Sequence, residues 1–182
     1  MAKKSKTEKY INLSTQNKSK KITIFEMTLF SMFGAMMCIS KYLTEFLPNV
    51  HLLGMFTVLF TVVYRSKALI PIYVFVFLMG LTAGFNLWWV PYLYIWTVLW
   101  AMAMLIPKNL PKWAAIIIYP VVCSLHGFMY GTLYSPFQAF AFGLDFDGMI
   151  AWIVAGFPWD IIHGVSNFAA GLLIFPLSEV LK

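Results

Sequence analysis

The fold of this chain is indicated by one stretch near its end, FPWDIIHGVSNFAAGLLIF, residues 157–175. It is strongly apolar, and about 20 such residues are enough for a helix to cross the hydrocarbon core of a bilayer. Its middle nevertheless carries Asp160, His163 and Asn167, which are spaced i, i+3 and i+7. Because this spacing places them on one helix face, the stretch predicts a membrane helix with a polar side turned toward other helices.

The composition of the whole chain is that of an integral membrane protein. Of the 182 residues, 61% are hydrophobic and 11% are charged, whereas a soluble domain is about half apolar and a quarter charged. The net charge of +6 comes from basic residues at the ends of apolar runs, which favours lipid head groups over nucleic acid as their partner. Cys38 and Cys123 lie inside apolar runs without a disulfide or metal-ligand pattern.

Six apolar segments are predicted to span the membrane. They cover roughly residues 22–46, 50–64, 68–85, 88–106, 112–134 and 149–179. The second and third are short, so we expect them to be tilted, kinked or incompletely spanning. Residues 1–21 are polar and lysine-rich, which predicts a disordered tail. The predicted fold is an all-α, six-helix membrane bundle over residues 22–182.

The basic residues predict an orientation. They occur in residues 1–21, in the loops at 65–67 and 108–112, and at Lys182, which six spans place on one side of the membrane. The opposite loops carry no Lys or Arg, and Lys41 is the single exception. By the positive-inside rule, both termini are predicted to be cytoplasmic in a multi-pass protein of the plasma membrane.

Intramembrane polar residues from several spans are predicted to gather in the outer half of the bundle. Such residues are costly unless satisfied, so they indicate a functional site. An ion path requires polar groups at every depth, whereas a shared depth favours a pocket that opens outward. Two alternatives stay open: Asp160 accepts a hydrogen bond from His163 in an internal network, and Lys41 pairs with Glu45 four residues on.

Aromatic residues are dense in NLWWVPYLYIW, residues 86–96. Trp89, Tyr92 and Trp96 are spaced i, i+3 and i+7, which favours a stacking wall for a flat heterocycle. The alternative is an aromatic belt at the head-group level.

Small residues mark the first span, FEMTLFSMFGAMMCISKYL, residues 25–43. Ser31 and Ala35 are four residues apart, as are Gly34 and Cys38, and this spacing allows close approach of helix backbones. We interpret the small residues as a docking strip for another membrane protein. Ordinary packing within the bundle is the alternative.

Enzyme motifs are missing from the sequence. It contains no Walker A, HExxH or GxSxG pattern, so the chain is not predicted to be an enzyme, and no cofactor or metal is expected. The alternative is a small membrane enzyme with Asp160 and His163 as an acid–base pair, or a haem protein that uses His126 and His163.

Residues 157–168, FPWDIIHGVSNF, and residues 31–35, SMFGA, give the chain a resemblance to the substrate-binding S component of energy-coupling factor transporters. The resemblance covers most of the chain. The last helix of such proteins often reads F-D-L-I-H-x-x-x-N, and their first span usually has two alanines four apart, where this chain has Ser31 and Ala35.

The resemblance implies a function. An S component binds a vitamin or similar micronutrient from outside, docks on a membrane coupling protein and two cytoplasmic ATPases, and topples to release its cargo. Ser31, Ala35 and Gly34 are then expected to face the coupling protein, with the loops at 47–51 and 84–92 as lids. The expected substrate-binding residues are Trp89, Tyr92, Trp96, His126, Tyr130, Asp160, His163, Asn167, Lys41 and Asn86.

The substrate stays open at this point. Aromatic density favours a flat ligand, Lys41 or His126 suits a carboxylate or phosphate, and Asp160 suits an amine or hydroxyl. Pyridoxine, a pyrimidine precursor, pantothenate, a queuosine precursor and a corrinoid all remain candidates.

Overall fold

The computed structural model describes residues 22–181, which fold into eight α-helices and no strand. The predicted tail, residues 1–21, and Lys182 lie outside the described residues. Two 3₁₀ turns, Arg65–Ala68 and Leu87–Trp89, connect helices. The helices are α1 (Ile24–Leu43), α2 (Leu53–Tyr64), α3 (Leu69–Ala83), α4 (Tyr92–Met104), α5 (Lys112–Phe128), α6 (Tyr130–Phe142), α7 (Phe146–Gly171) and α8 (Ile174–Leu181).

Within the described residues, five helical segments are long and apolar enough to cross a membrane. The chain is therefore an all-helical bundle compatible with a multi-pass membrane protein, as its composition predicts. These segments are Ile24–Leu43, Leu53–Ala83, Leu87–Met104, Lys112–Phe142 and Phe146–Gly171.

The segment Leu53–Ala83 contains two of the predicted spans, α2 and α3. Helix α3 runs parallel to α1, because Glu26 pairs with Lys67 near the starts of both helices. Toward the ends of both helices, the Tyr42 hydroxyl donates to Thr82 Oγ1 at 2.6 Å. Helix α2 lies between α1 and α3 in the chain, so the chain must return along α2 in the opposite direction.

Helix α2 is this antiparallel element. The rings of Phe33 and Phe60 stack with their centroids 4.6 Å apart, while Phe30, earlier in α1, meets Tyr64, later in α2, at 5.2 Å. The chain reverses at Arg65, whose φ of 55° and ψ of −123° lie where residues with a Cβ are rare. The structure therefore divides the segment Leu53–Ala83 into two short antiparallel helices.

The last long helices pack against each other through small residues. Ser124 on α5 donates to the carbonyl of Gly164 on α7 at 2.9 Å. A Cβ added to Gly127 would fall 2.8 Å from the Gly164 Cα atom, so only glycine permits this approach. The predicted fifth span continues through α6, and the predicted sixth is divided into α7 and the short α8.

The helices α1 to α7 give the bundle two distinct ends. We name the end that holds residues 44–52, 84–91 and 143–145 the upper end. There, the Tyr134 hydroxyl donates to the Trp88 carbonyl at 3.4 Å. The lower end holds residues 64–68 and 105–111, where Arg65 Nη1 donates to the carbonyl of Ile106 at 3.1 Å. Helix α1 begins, and α7 ends, at the lower end.

Candidate functional site

A cavity of about 300 Å³ lies at the upper end of the bundle. Helices α1, α4, α6 and α7 contribute to its wall together with residues 44–52. Four of its residues were predicted from the sequence: Lys41, Tyr92, Tyr130 and His163. We call it the polar cavity, and its lining comprises Lys41, Glu45, Leu47, Pro48, Asn49, Val50, His51, Tyr92, Tyr130 and His163.

Two histidines meet at the wall of the polar cavity. Nε2 of His163 lies 2.6 Å from Nε2 of His51, so one ring donates and the other accepts a hydrogen bond. At least one of the two rings is therefore neutral. His51 precedes α2 and lies outside the helices, where burial and the nearby His163 hold its pKa well below the usual range.

Sequence reasoning missed His51 as a site residue. It precedes an apolar span and belongs to no motif, so the available signal was only its place beside a predicted outer loop. The structure brings it to His163, which is 112 positions away in the chain. Such a pairing depends on how two distant helices pack.

Residues 44–52 form a roof over the polar cavity and are attached to α7. The hydroxyl of Ser166 donates to the carbonyl of Asn49 at 3.2 Å, and the His51–His163 hydrogen bond adds a second attachment. Asn49 has a φ of 57° in the left-handed region, which asparagine tolerates better than most residues. Two side-chain hydrogen bonds therefore attach the roof to α7.

Trp96 and His126 lie in the interior beside the polar cavity and are 1% and 0% exposed. His126 Nε2 is 3.1 Å from the Ile95 carbonyl and must donate to it, which leaves Nδ1 as an acceptor in the neutral ring. Neither this Nδ1 nor Trp96 Nε1 has a hydrogen-bond partner among residues 22–181. Each such buried atom destabilises the fold by roughly 1–3 kcal/mol.

Trp96 is held in place by aromatic neighbours. Its ring lies 5.6 Å from that of Tyr92 in an edge-to-face contact, 5.8 Å from that of His51 and 5.9 Å from that of His126. The structure therefore brings three predicted residues, Tyr92, Trp96 and His126, into one aromatic cluster next to His51.

Asp160, His163 and Asn167 share the buried face of α7 that their spacing predicts. Asp160 does not pair with His163, however. Both its carboxylate oxygens lie near the backbone N–H of Gly131, at 3.0 and 3.1 Å. The direct hydrogen bond from His163 to Asp160 is therefore not found, and the two side chains form no ion pair among residues 22–181.

Asn167 lies deeper than the polar cavity, at the crossing of three helices. Its Nδ2 donates to the Cys123 carbonyl at 3.4 Å, and a Cβ on Gly54 or Gly127 would approach its amide to 3.1 or 2.9 Å. The Asn167 side chain therefore fills the space that these glycines leave and does not line the polar cavity.

Trp89 and Asn86 are set apart from the other predicted site residues. Trp89 lies in the 3₁₀ turn before α4, so it does not share a helix face with Tyr92 and Trp96. Its Nε1 donates to the Val76 carbonyl at 2.8 Å, and its ring meets that of Phe85. The Asn86 carbonyl accepts from the Trp89 backbone N–H. Neither residue lines the polar cavity.

Lys41 and Glu45 both line the polar cavity but do not form the predicted pair. Within residues 22–181, the ion pair of the structure is Lys67 with Glu26. The ammonium of Lys41 and the carboxylate of Glu45 are therefore available to a bound molecule.

A second cavity, of about 480 Å³, lies between α6, α7 and the roof. We call it the aromatic cleft. It shares Pro48, Asn49 and Tyr130 with the polar cavity, and Asp160 belongs to this cleft alone. Its lining comprises Pro48, Asn49, Tyr130, Gly131, Tyr134, Trp152, Gly156, Trp159 and Asp160.

The predicted docking strip is divided by the structure. Ser31 and Ala35 line an outward-facing groove on α1 together with Ile24, Met27, Thr28 and Met32. Gly34 faces inward, where an added Cβ would come within 2.9 Å of the Pro71 carbonyl. Gly34 therefore packs against other helices of the bundle and does not belong to the outward-facing groove.

Histidine, cysteine and acidic side chains do not converge into a metal site in the described part of the chain, where no three of them are suitably grouped. His126 also commits its Nε2 to the Ile95 carbonyl, so it does not offer this nitrogen to haem iron.

The chain was compared with known proteins, and no protein-family model, curated protein or solved structure matches it. We therefore infer its function from the polar cavity, the roof and the groove on α1.

Proposed function

We propose that this chain is the substrate-binding membrane subunit of an energy-coupling factor transporter, which binds a small vitamin-like micronutrient and carries it across the plasma membrane. The observation that carries the proposal is the polar cavity at the upper end of the bundle. Its upper end faces the exterior and both termini face the cytoplasm, as the basic residues favour.

The chemistry of the polar cavity suits a small polar solute. Lys41 offers a cation, Glu45 an anion, and Tyr92 and Tyr130 offer phenol groups on aromatic rings. A volume of about 300 Å³ is at the lower limit for a ligand pocket, which favours a compound with one or two rings over a corrinoid. Pyridoxine, a pyrimidine precursor, pantothenate and a queuosine precursor remain candidates.

The roof supports a gated site. It rests on α7 through the Ser166–Asn49 and His51–His163 contacts. Loss of two hydrogen bonds is a change of a few kcal/mol, which binding of a solute can offset. Residues 44–52 therefore act as the lid that admits the substrate.

The groove on α1 supports docking of a separate motor. The chain has no ATPase motif, so energy must come from other subunits. Ser31 and Ala35 leave the groove shallow and small-sided, which lets a helix of a coupling protein approach closely. The coupling protein in turn contacts two cytoplasmic ATPases.

Binding is tested with purified protein and a panel of the candidate micronutrients, after native mass spectrometry of any co-purified compound. His163→Phe keeps an aromatic ring but removes the hydrogen bond to His51, and we expect affinity to fall at least about tenfold, or about 1.4 kcal/mol. Ile162→Phe, at the next position and partly exposed, is the control. Equal affinities of the unmodified protein, His163→Phe and Ile162→Phe would refute the assignment of the polar cavity as the substrate site.

Docking is tested separately by uptake into cells. Ser31→Leu fills the groove, and we expect uptake to be abolished while the dissociation constant stays within about twofold. Met36→Leu, on an exposed part of α1 outside the groove, is expected to leave both unchanged. A parallel loss of binding in Ser31→Leu would show that the groove belongs to internal packing.

A further inference from the structure

Asp160 is a buried carboxylate without a cationic partner. It is 5% exposed and receives one backbone N–H, that of Gly131. No Lys, Arg or His side chain among residues 22–181 lies within ion-pair distance, since the ion pair there is Lys67 with Glu26. A carboxylate has about four acceptor positions, and a buried negative charge is strongly unfavourable until a positive charge meets it.

The position of Asp160 is built into the fold. An added Cβ on Gly131 would collide with the carboxylate, so glycine at this position is what admits it. The carboxylate lines the aromatic cleft, not the polar cavity. Lys41, which lines the polar cavity, is absent from the cleft wall, so the cleft holds a carboxyl group without a basic side chain.

Four of the other eight residues that line the cleft are aromatic. Tyr134 and Trp152 stack with centroids 5.8 Å apart and planes 20° apart, and Tyr130 lies 6.2 Å from Tyr134. The Tyr134 hydroxyl donates to the Trp88 carbonyl, which fixes its ring. Trp159 is 53% exposed at the margin of the cleft. Aromatic faces attract cations, and several of them around one site recognise organic ammonium groups.

From these observations we propose that the aromatic cleft binds an organic ammonium group, with Asp160 as its counter-charge and Tyr134, Trp152 and Trp159 around its methyl or methylene groups. A metal ion is disfavoured because the cleft wall offers one carboxylate, whereas calcium takes six to eight oxygen ligands. An anion is disfavoured by the charge of Asp160. This site is additional to the polar cavity and does not depend on the transport function.

The ammonium has two possible sources with the same chemistry: a soluble quaternary amine or the choline head group of a lipid. The exposed side chain of Trp159 in the lining makes the cleft reachable from outside the bundle. The experiment therefore needs one arm for each source.

In the first arm, protein in maltoside detergent is titrated with choline and with 3,3-dimethylbutanol, its neutral isostere, by isothermal titration calorimetry. We expect saturable choline binding that is at least tenfold tighter than that of the isostere. Asp160→Asn keeps an acceptor for the Gly131 N–H and should weaken choline binding at least tenfold. Asp147→Asn, the same change at an exposed position of α7, should leave it unchanged.

In the second arm, native mass spectrometry compares retention of phosphatidylcholine and phosphatidylglycerol. Preferential retention of phosphatidylcholine that is lost in Asp160→Asn assigns the site to a lipid head group, and choline binding without such retention assigns it to a soluble amine. Trp152→Leu and Trp159→Leu should each weaken whichever ligand binds by about fivefold.

Three results would overturn the proposal. The first is equal affinity for choline and its neutral isostere. The second is binding that survives Asp160→Asn, and the third is failure of both choline and phosphatidylcholine to bind protein that circular dichroism shows to be folded. None of these results bears on ligand binding in the polar cavity, which the His163→Phe experiment tests on its own.

Discussion

The two ends of the bundle treat polar groups differently. At the lower end, Arg65 donates from both terminal nitrogens to the carbonyls of Met104 and Ile106, although its Nε has no partner within residues 22–181. Lys67 pairs there with Glu26. At the upper end, Lys41 and Glu45 line the polar cavity without an ion pair between them, and Asp160 meets only a backbone N–H. Satisfied groups hold helices together, whereas unsatisfied groups remain available to bind a ligand.

The largest test of this contrast concerns Arg65. Arg65→Ala removes two charge-assisted hydrogen bonds, and we expect the free energy of unfolding in detergent to fall by about 3 kcal/mol. Arg65→Gly removes the same bonds but accommodates the φ of 55°, so it should be about 1 kcal/mol more stable than Arg65→Ala. Lys108→Ala at the same end is the control. Equal stability of all three variants would show that the Arg65 hydrogen bonds do not stabilise the connection between these helices.

The next effect concerns pH and the roof. Because burial lowers the pKa of His51 in the folded state, the unfolded chain binds a proton near its ordinary pKa of about 6.5, whereas the folded chain does not. Stability should therefore be constant above about pH 7 and fall as pH decreases below 6.5, by at most about 1.4 kcal/mol per pH unit for this residue. His51→Gln should flatten this slope in thermal unfolding from pH 7.5 to 5; an unchanged slope would assign it to other groups.

A smaller effect is expected at Trp96. Trp96→Phe removes the buried Nε1, which has no hydrogen-bond partner within residues 22–181, while most of the ring packing stays. We expect stability to be unchanged or to increase by up to about 1 kcal/mol. Trp100→Phe is the matched comparison, because the Trp100 Nε1 donates to the Arg65 carbonyl at 3.2 Å. A greater loss of stability in Trp96→Phe than in Trp100→Phe would contradict the proposal that polar groups at the upper end are less well satisfied than those at the lower end.

The smallest change in stability is expected at Lys41 and Glu45. Neither Lys41→Met nor Glu45→Gln breaks an ion pair, so each should shift the unfolding free energy by less than about 0.5 kcal/mol. Their effect should instead fall on binding. Lys41→Met is expected to weaken an anionic ligand and Glu45→Gln a cationic one, as calorimetry with the micronutrient panel would measure. A loss of stability above about 1 kcal/mol in either variant would show that the side chain stabilises the fold.

Local patterns predicted the long helices and the buried face of α7, but not the continuation of the fifth helical segment to Phe142 or the division between α7 and α8. Apolar run length sets where a helix can cross a membrane, and the spacing of Asp160, His163 and Asn167 sets which side they share. The reversal between α2 and α3 also follows the basic loop at 65–67 that the sequence predicts. These features depend on residues close together in the chain, which is why they are readable without coordinates.

Which polar groups meet depended on the packing of distant helices. The sequence alone determined an all-helical bundle, the polar face of α7 and a small-residue strip on α1. Only the tertiary structure decided that His163 meets His51, that Asp160 meets Gly131, and that Ser31 faces outward while Gly34 faces inward. The physical reason is that helix periodicity specifies a face, whereas the partner of that face depends on the rotation and depth at which two helices pack.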